Sequence, residues 1–109
     1  YYVNFILGNI ACAQSDLLHL GLLIKELPEG SFWSAGGVGG CQFQTNVMAL
    51  IAGGGVRVGL EDNIFYDGNR QKLATNKELL VRIRRVADML GYAPYDSIEL
   101  RKKLDLEPR

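Results

Sequence analysis

The run Arg57-Val58-Gly59-Leu60-Glu61-Asp62-Asn63 brings one cation and two carboxylates together in an otherwise apolar stretch. A guanidinium in such a setting must find a carboxylate, a carbonyl or an anionic ligand, because its charge cannot be left unpaired away from water. Read as a strand over 56–61, the run turns Arg57, Gly59 and Glu61 to one face and Val56, Val58 and Leu60 to the other. Glu61 and Asp62 then sit at the carboxyl end, where barrels and open α/β sheets alike build their sites. Two chemistries suit this set. Arg57 either forms an internal salt bridge or orients an anionic ligand, and the carboxylates either cap backbone amides or act on a substrate. If Glu61 holds a metal it is one of several ligands, since catalytic zinc takes three from the protein.

Further candidates are sparse. His19, the one histidine, falls on an expected helix and reads as a helix-face residue, so a two-histidine metal site cannot be assembled within the chain. The loop Gly36-Gly37-Val38-Gly39-Gly40 could bring the bare amides of Gly37, Gly39 and Gly40 close to an anion, or could simply be a tight turn. It does not match the GxGxxG dinucleotide pattern. Cys12 and Cys41 show no CxxC spacing, which favours two reduced thiols in a cytoplasmic protein over a disulfide scaffold or a zinc knuckle.

These residues must be positioned by an alternation of short elements. Strands are expected near 2–8, 31–36 and 56–61, and helices near 16–27, 45–53 and 76–90, with a short helix over 97–104. Ser15 or Asp16 caps the first helix, and Thr75-Asn76-Lys77-Glu78 is a capping-box pattern that Asp96 with Glu99 repeats. Arg82, Arg84, Arg85 and Asp88 form the solvated or interface face of the third helix. The alternation argues for parallel βαβ units, and a repeat of about 25 to 30 residues fits a (β/α)8 barrel or an open doubly wound sheet. Three strands cannot close a barrel and would leave two edges bare, so the chain reads as one piece of a larger barrel.

Composition agrees with a chain that needs a covering. The 109 residues are 48% hydrophobic with zero net charge, and nothing recommends nucleic acid as a partner. Residues 1–56 hold one basic residue, Lys25, and three acidic ones, Asp16, Glu26 and Glu29; the other 20 charges follow. A half so poor in charge has little polar surface to show to water. The apolar N-terminal stretch lacks a basic leader and is broken by Asn4, Asn9, Gln14, Asp16 and His19, which excludes a signal peptide or membrane helix. The chain starts without Met inside an expected strand, which points to processing or to upstream sequence.

Val3-Asn4-Phe5-Ile6-Leu7-Gly8, Trp33-Ser34 with the Gly-rich loop, and above all Val56-Arg57-Val58-Gly59-Leu60-Glu61-Asp62-Asn63 resemble the β-keto acid cleavage enzymes, of which the 3-keto-5-aminohexanoate cleavage enzyme is the type. The resemblance spans nearly the whole chain and implies the last three βα units of a (β/α)8 TIM barrel of about 250 residues, a single domain incomplete here. It implies zinc enzymes that condense a β-keto acid with acetyl-CoA, releasing acetoacetate and a new acyl-CoA. By resemblance Glu61 is a Zn2+ ligand, the two histidine ligands come from a strand outside the chain, and Arg57 with Asp62 is the pair that orients and polarises the keto acid. A homo-oligomer is implied as well. The pattern departs from the family where Gly55 replaces a common histidine, and where Gly39-Gly40-Cys41-Gln42 lacks a basic residue. The chain is expected to be inactive alone. A non-catalytic α/β interaction module and a metal-free, phosphate-binding barrel enzyme are the rival readings.

Overall fold

The computed structural model describes residues 1–107. Along the chain run β1 (Tyr2–Leu7), α1 (Leu17–Lys25), β2 (Phe32–Gly37), α2 (Gln42–Ile51), β3 (Gly55–Val56), α3 (Asn76–Met89) and α4 (Ser97–Lys103), with a 3₁₀ turn over Gly39–Cys41 leading into α2. The strands form one parallel sheet in the order β1-β2-β3. Tyr2 lies opposite Phe32 and Leu7 opposite Gly37, then Ser34 opposite Gly55 and Ala35 opposite Val56. The architecture is a small α/β fold, because each parallel step requires a crossover and α1 and α2 supply them.

Strand alternation divides the sheet into two faces. Phe5, Leu7, Trp33, Ala35 and Val56 pack on Leu20, Leu23 and Ile24 of α1 and on Met48 and Ala49 of α2, and this is the core. The opposite face carries Asn4 and Ser34, joined by a hydrogen bond from Ser34 Oγ to Asn4 Oδ1 of 2.8 Å. Caps fix the helix starts. Asp16 accepts from the His19 amide at 2.8 Å, and both Thr75 with Glu78 and Asp96 with Glu99 make reciprocal capping boxes.

Two elements differ from the sequence expectation. Helix α2 starts at Gln42 rather than near 45, so Gln42, Thr45 and Asn46 all lie within it, and all three are buried. The strand expected over 56–61 is only Gly55–Val56, with one further ladder bond from the Arg57 amide to the Ala35 carbonyl at 3.0 Å. The reason is competition for backbone groups. Asn46 Nδ2 donates to the carbonyls of Ala35 (3.1 Å) and Arg57 (2.7 Å), and Gln42 Nε2 donates to that of Gly59 (2.8 Å). Asn76 Oδ1 accepts from the Leu60 amide at 3.0 Å. Side chains of α2 and α3 therefore take the groups that a longer strand would have used, and the chain turns at Gly59, whose carbonyl also accepts from the Asp62 and Asn63 amides. The alternation expected for Arg57, Gly59 and Glu61 does not arise, since it needs an extended backbone.

Much apolar surface remains uncovered. Ile10, Leu17, Leu18 and Leu22 are exposed around α1. A cleft of about 1010 Å³ opens between the β3 side of the sheet and α3–α4, lined by Trp33, Leu50, Val56, Leu80, Ile83 and Tyr95 among others. Patches of this kind mark surfaces that another part of a protein covers. Among the described residues no helix is long and apolar enough to cross a membrane.

The amide of Asn46 is the most exacting of these packing contacts. Asn46→Leu keeps the branched shape but leaves the Arg57 carbonyl without a donor, at about 1–3 kcal/mol, while the Ala35 carbonyl retains the Arg57 amide. Urea unfolding of the full-length protein should show a lowered midpoint with an unchanged slope; an unchanged midpoint would remove Asn46 from the account.

Candidate functional site

Arg57 leaves the end of β3 on the polar face of the sheet, beside Gly36 of β2. A Cβ on Gly36 would meet the Arg57 carbonyl at 3.0 Å and its Cβ at 3.1 Å, so the absence of a side chain there makes room for the arginine stem. The turn at Gly59 then curls the next residues back. Arg57 Nε donates to Asp62 Oδ2 at 3.0 Å and Nη2 to Oδ1 at 3.3 Å, while Nη2 also donates to Glu61 Oε1. One guanidinium thus holds both carboxylates. Its hydrogen bond to Asp62, reinforced by the charge of Asp62 and then of Glu61, pushes the Arg57 pKa above its ordinary value and keeps it a cation.

The two carboxylates have different surroundings. The Asp62 side chain is 9% exposed, whereas that of Glu61 is 69% exposed, and Glu61 Oε2 accepts no hydrogen bond among the described residues. Asn63 supports the loop, since its Oδ1 accepts from the Phe65 amide (3.1 Å) and its Nδ2 donates to the Phe65 carbonyl (2.8 Å). Together Gly39, Leu60, Glu61, Asp62, Asn63 and Arg70 line much of an open cavity of about 230 Å³.

The three loop glycines have three different environments. A Cβ at Gly37 would collide with Thr45 Oγ1 and the Cys41 carbonyl, so close packing on α2 demands glycine there. Gly39 has φ +64° in the left-handed region, and its amide donates to the Asp62 carbonyl at 2.6 Å, tying the loop after β2 to the loop after β3. Gly39 and Gly40 both have open space around them, and of the two Gly40 lies outside the left-handed region. His19 stands on the first turn of α1, its Nδ1 2.7 Å from Asp16 Oδ2, and is not among the residues lining the cavity.

Among the described residues no group of three or more His, Cys, Asp or Glu side chains is placed to hold a metal. Glu61 is suited to supply one ligand of such a set: a carboxylate oxygen is an accepted zinc donor, its second oxygen is unengaged, and Arg57 fixes the first.

Several supporting residues lie outside the sequence reading. Gln42, Thr45 and Asn46 form a buried polar stripe at i, i+3 and i+4 of α2, a signal hidden once the helix is started near 45. Arg82 does not belong to the solvated face with Arg84 and Asp88. Its guanidinium lies between the rings of Phe43 (4.4 Å) and Tyr66 (4.7 Å), and Nη1 donates to the Tyr66 carbonyl at 2.5 Å. It pins the segment after the site to α2 and α3.

With this geometry in place, comparison with known proteins gives a consistent result. A family model described as beta-keto acid cleavage enzyme matches residues 1–106. The chain is 38% identical over 97% of its length to a 3-keto-5-aminohexanoate cleavage enzyme of Fusobacterium nucleatum, and covers 38% of that protein. It is 33% identical over 89% of its length to a 3-dehydrocarnitine:acetyl-CoA trimethylamine transferase of Rhizobium meliloti, covering 32% of it. A 3-keto-5-aminohexanoate cleavage enzyme of Acetoanaerobium sticklandii is 33% identical over 83% of the chain, which covers 33% of that relative. The chain therefore spans about a third of the length of these relatives. From its first strand to the turn beyond α4, and through the run that carries Arg57, Glu61 and Asp62, this chain belongs to the β-keto acid cleavage enzyme family.

Proposed function

We propose that the chain is the C-terminal part of a zinc-dependent β-keto acid cleavage enzyme and forms the last three βα units of a (β/α)8 barrel. The parallel order β1-β2-β3, the unpaired outer edges of β1 and β3 among the described residues, and the apolar cleft beside β3 all support a sheet that continues on both sides. The observation that carries the reading is the joining of Glu61 and Asp62 by Arg57 at one cavity, beside the carboxyl ends of β2 and β3.

In this reading Glu61 is the one zinc ligand from this chain, and two histidines lie outside it. Zinc, when bound, supplies Lewis-acid polarisation of a carbonyl oxygen. The chain's own residues do the rest. Arg57 faces negative charge as it develops on the keto acid, and because its fork is already fixed by Asp62 it needs no reorganisation at that moment. Asp62, almost enclosed, holds the guanidinium in plane and offers an acceptor for a substrate proton. Gly37 and Gly39 shape the loop, and Gly40 is the position where backbone can approach a coenzyme A phosphate.

The names of the relatives support the substrate classes: one names a β-keto acid and another names acetyl-CoA. The reaction takes a β-keto acid and acetyl-CoA to acetoacetate and a new acyl-CoA. The exposed leucines of α1 suit a homo-oligomer or the remaining barrel strands, and the free thiols of Cys12 and Cys41 suit the cytoplasm.

Two outcomes test this. The full-length enzyme should form acetoacetate from acetyl-CoA and a member of a β-keto acid panel, and Arg57→Ala should lower kcat about 10²- to 10³-fold; a wild-type enzyme with no acyl transfer to coenzyme A on any keto acid would refute the proposal. Glu61→Ala should lower the zinc content of the purified protein, and stoichiometric zinc in that variant would remove Glu61 as a ligand.

A further inference from the structure

The cavity beside Glu61 and Asp62 is lined by a cation that the site chemistry does not use, Arg70. Arg57 is not among the residues lining that cavity, and it gives its Nε and Nη2 to Asp62 and Glu61. Arg70 lines the same cavity, and no carboxylate lies within salt-bridge distance of it among the described residues. Residues 31–56, which include the Gly-rich loop, contain no basic residue, so that loop has no cation of its own to offer an anion.

The backbone that presents Arg70 is unusually well fixed for an exposed loop. Arg70 has φ +58°, a left-handed conformation that costs a non-glycine residue energy. The turn around it is held by Asp67, whose carboxylate accepts from the amides of Gln71 (3.0 Å) and Lys72 (2.8 Å). Those bonds, the Lys72 amide foremost, hold the Asp67 carboxyl below its usual range, so the turn persists at neutral pH. Below the turn, the Tyr66 amide donates to the Lys72 carbonyl at 2.8 Å and Phe65 bridges to Leu73. Lys72 pairs with Glu78 of α3 at 2.9 Å, and Arg82 clasps the Tyr66 carbonyl. Arg70 is thus held at the wall of the cavity on a braced hairpin, with its planar fork in no salt bridge among the described residues.

Building on the proposed reaction, we infer that Arg70 is a specificity-determining residue that binds an oxyanion of a substrate at the mouth of the cavity. A planar fork of donors matches a phosphate or carboxylate bidentately. At about 230 Å³ the cavity accepts a small acid or a phosphate group rather than a whole nucleotide, and its open rim leaves room for the remainder outside. Two sources bring that chemistry: the phosphates of acetyl-CoA and the carboxylate of the keto acid. Because Arg70 makes its contact in ground state and transition state alike, its effect falls on KM and not on kcat.

The test uses the full-length protein with R70Q and R70K. R70Q should raise one substrate's KM about 10- to 100-fold, the value of a charge-assisted hydrogen bond, with kcat unchanged, and R70K should recover part of the loss. A raised KM for acetyl-CoA, with turnover of phosphate-free acetyl-pantetheine unaffected, identifies the phosphates; a raised KM for the keto acid alone identifies its carboxylate. Calorimetric titration with CoA, and separately with the keto acid, reads the same contact without turnover. Weaker binding by R70Q in a protein that performs no acyl transfer would sustain Arg70 while the proposed reaction fails. Unchanged KM for both substrates and unchanged binding of both would overturn the inference.

Discussion

The buried amides of α2 are the constraint on which this arrangement depends. Gln42 and Asn46 reach from the helix to three backbone carbonyls, those of Ala35, Arg57 and Gly59, and so end the third strand where they do. Of the three, the Arg57 carbonyl has no other donor among the described residues, and leaving it bare would cost about 1–3 kcal/mol, so this bond weighs on the path of the chain more than strand propensity at Val58 or Leu60 does. Thr45 completes the stripe by donating to the Cys41 carbonyl at 2.9 Å. With a longer ladder Glu61 and Asp62 would point to opposite faces; with the turn at Gly59 both reach Arg57.

From that constraint follows a site made of two cross-linked loops. The Gly39 amide holds the Asp62 carbonyl, Asp62 holds Arg57, and Arg57 holds Glu61. The order of exposure matches a division of labour. Asp62 is enclosed and gives both oxygens to one guanidinium, whereas Glu61 is open and keeps one oxygen without a partner among the described residues. A single pair of charges in water would be worth little. Here the interest lies in geometry: the guanidinium is fixed in advance, which is what a site must do if it is to meet charge that appears only during reaction.

The sequence made the alternation of elements legible, because apolar runs, caps and glycines act locally. Thr75 with Glu78 and Asp96 with Glu99 each form the reciprocal bonds that their spacing suggests. The cluster of Arg57, Glu61 and Asp62 was legible as chemistry but not as geometry. Alternation along a strand assumes an extended backbone, and what ends the strand is side chains from another element, contacts of long range in sequence. The same limit hid Arg82, which is charged and at helical spacing with Arg85, yet is stacked between two rings. Gly37 and Gly39 looked equivalent in the loop, and only the fold separates a glycine needed for close packing from one needed for its left-handed turn. Arg70 carried no motif at all.

Anomalous diffraction at the zinc edge, from crystals of the full-length protein, tests the central claim most directly, because it locates the metal against Arg57, Glu61 and Asp62 without reference to activity. One zinc peak is expected about 2.0–2.2 Å from a Glu61 oxygen, with Arg57 still bonded to Asp62. A zinc peak bound wholly by other residues, with Glu61 turned away to solvent, would contradict it.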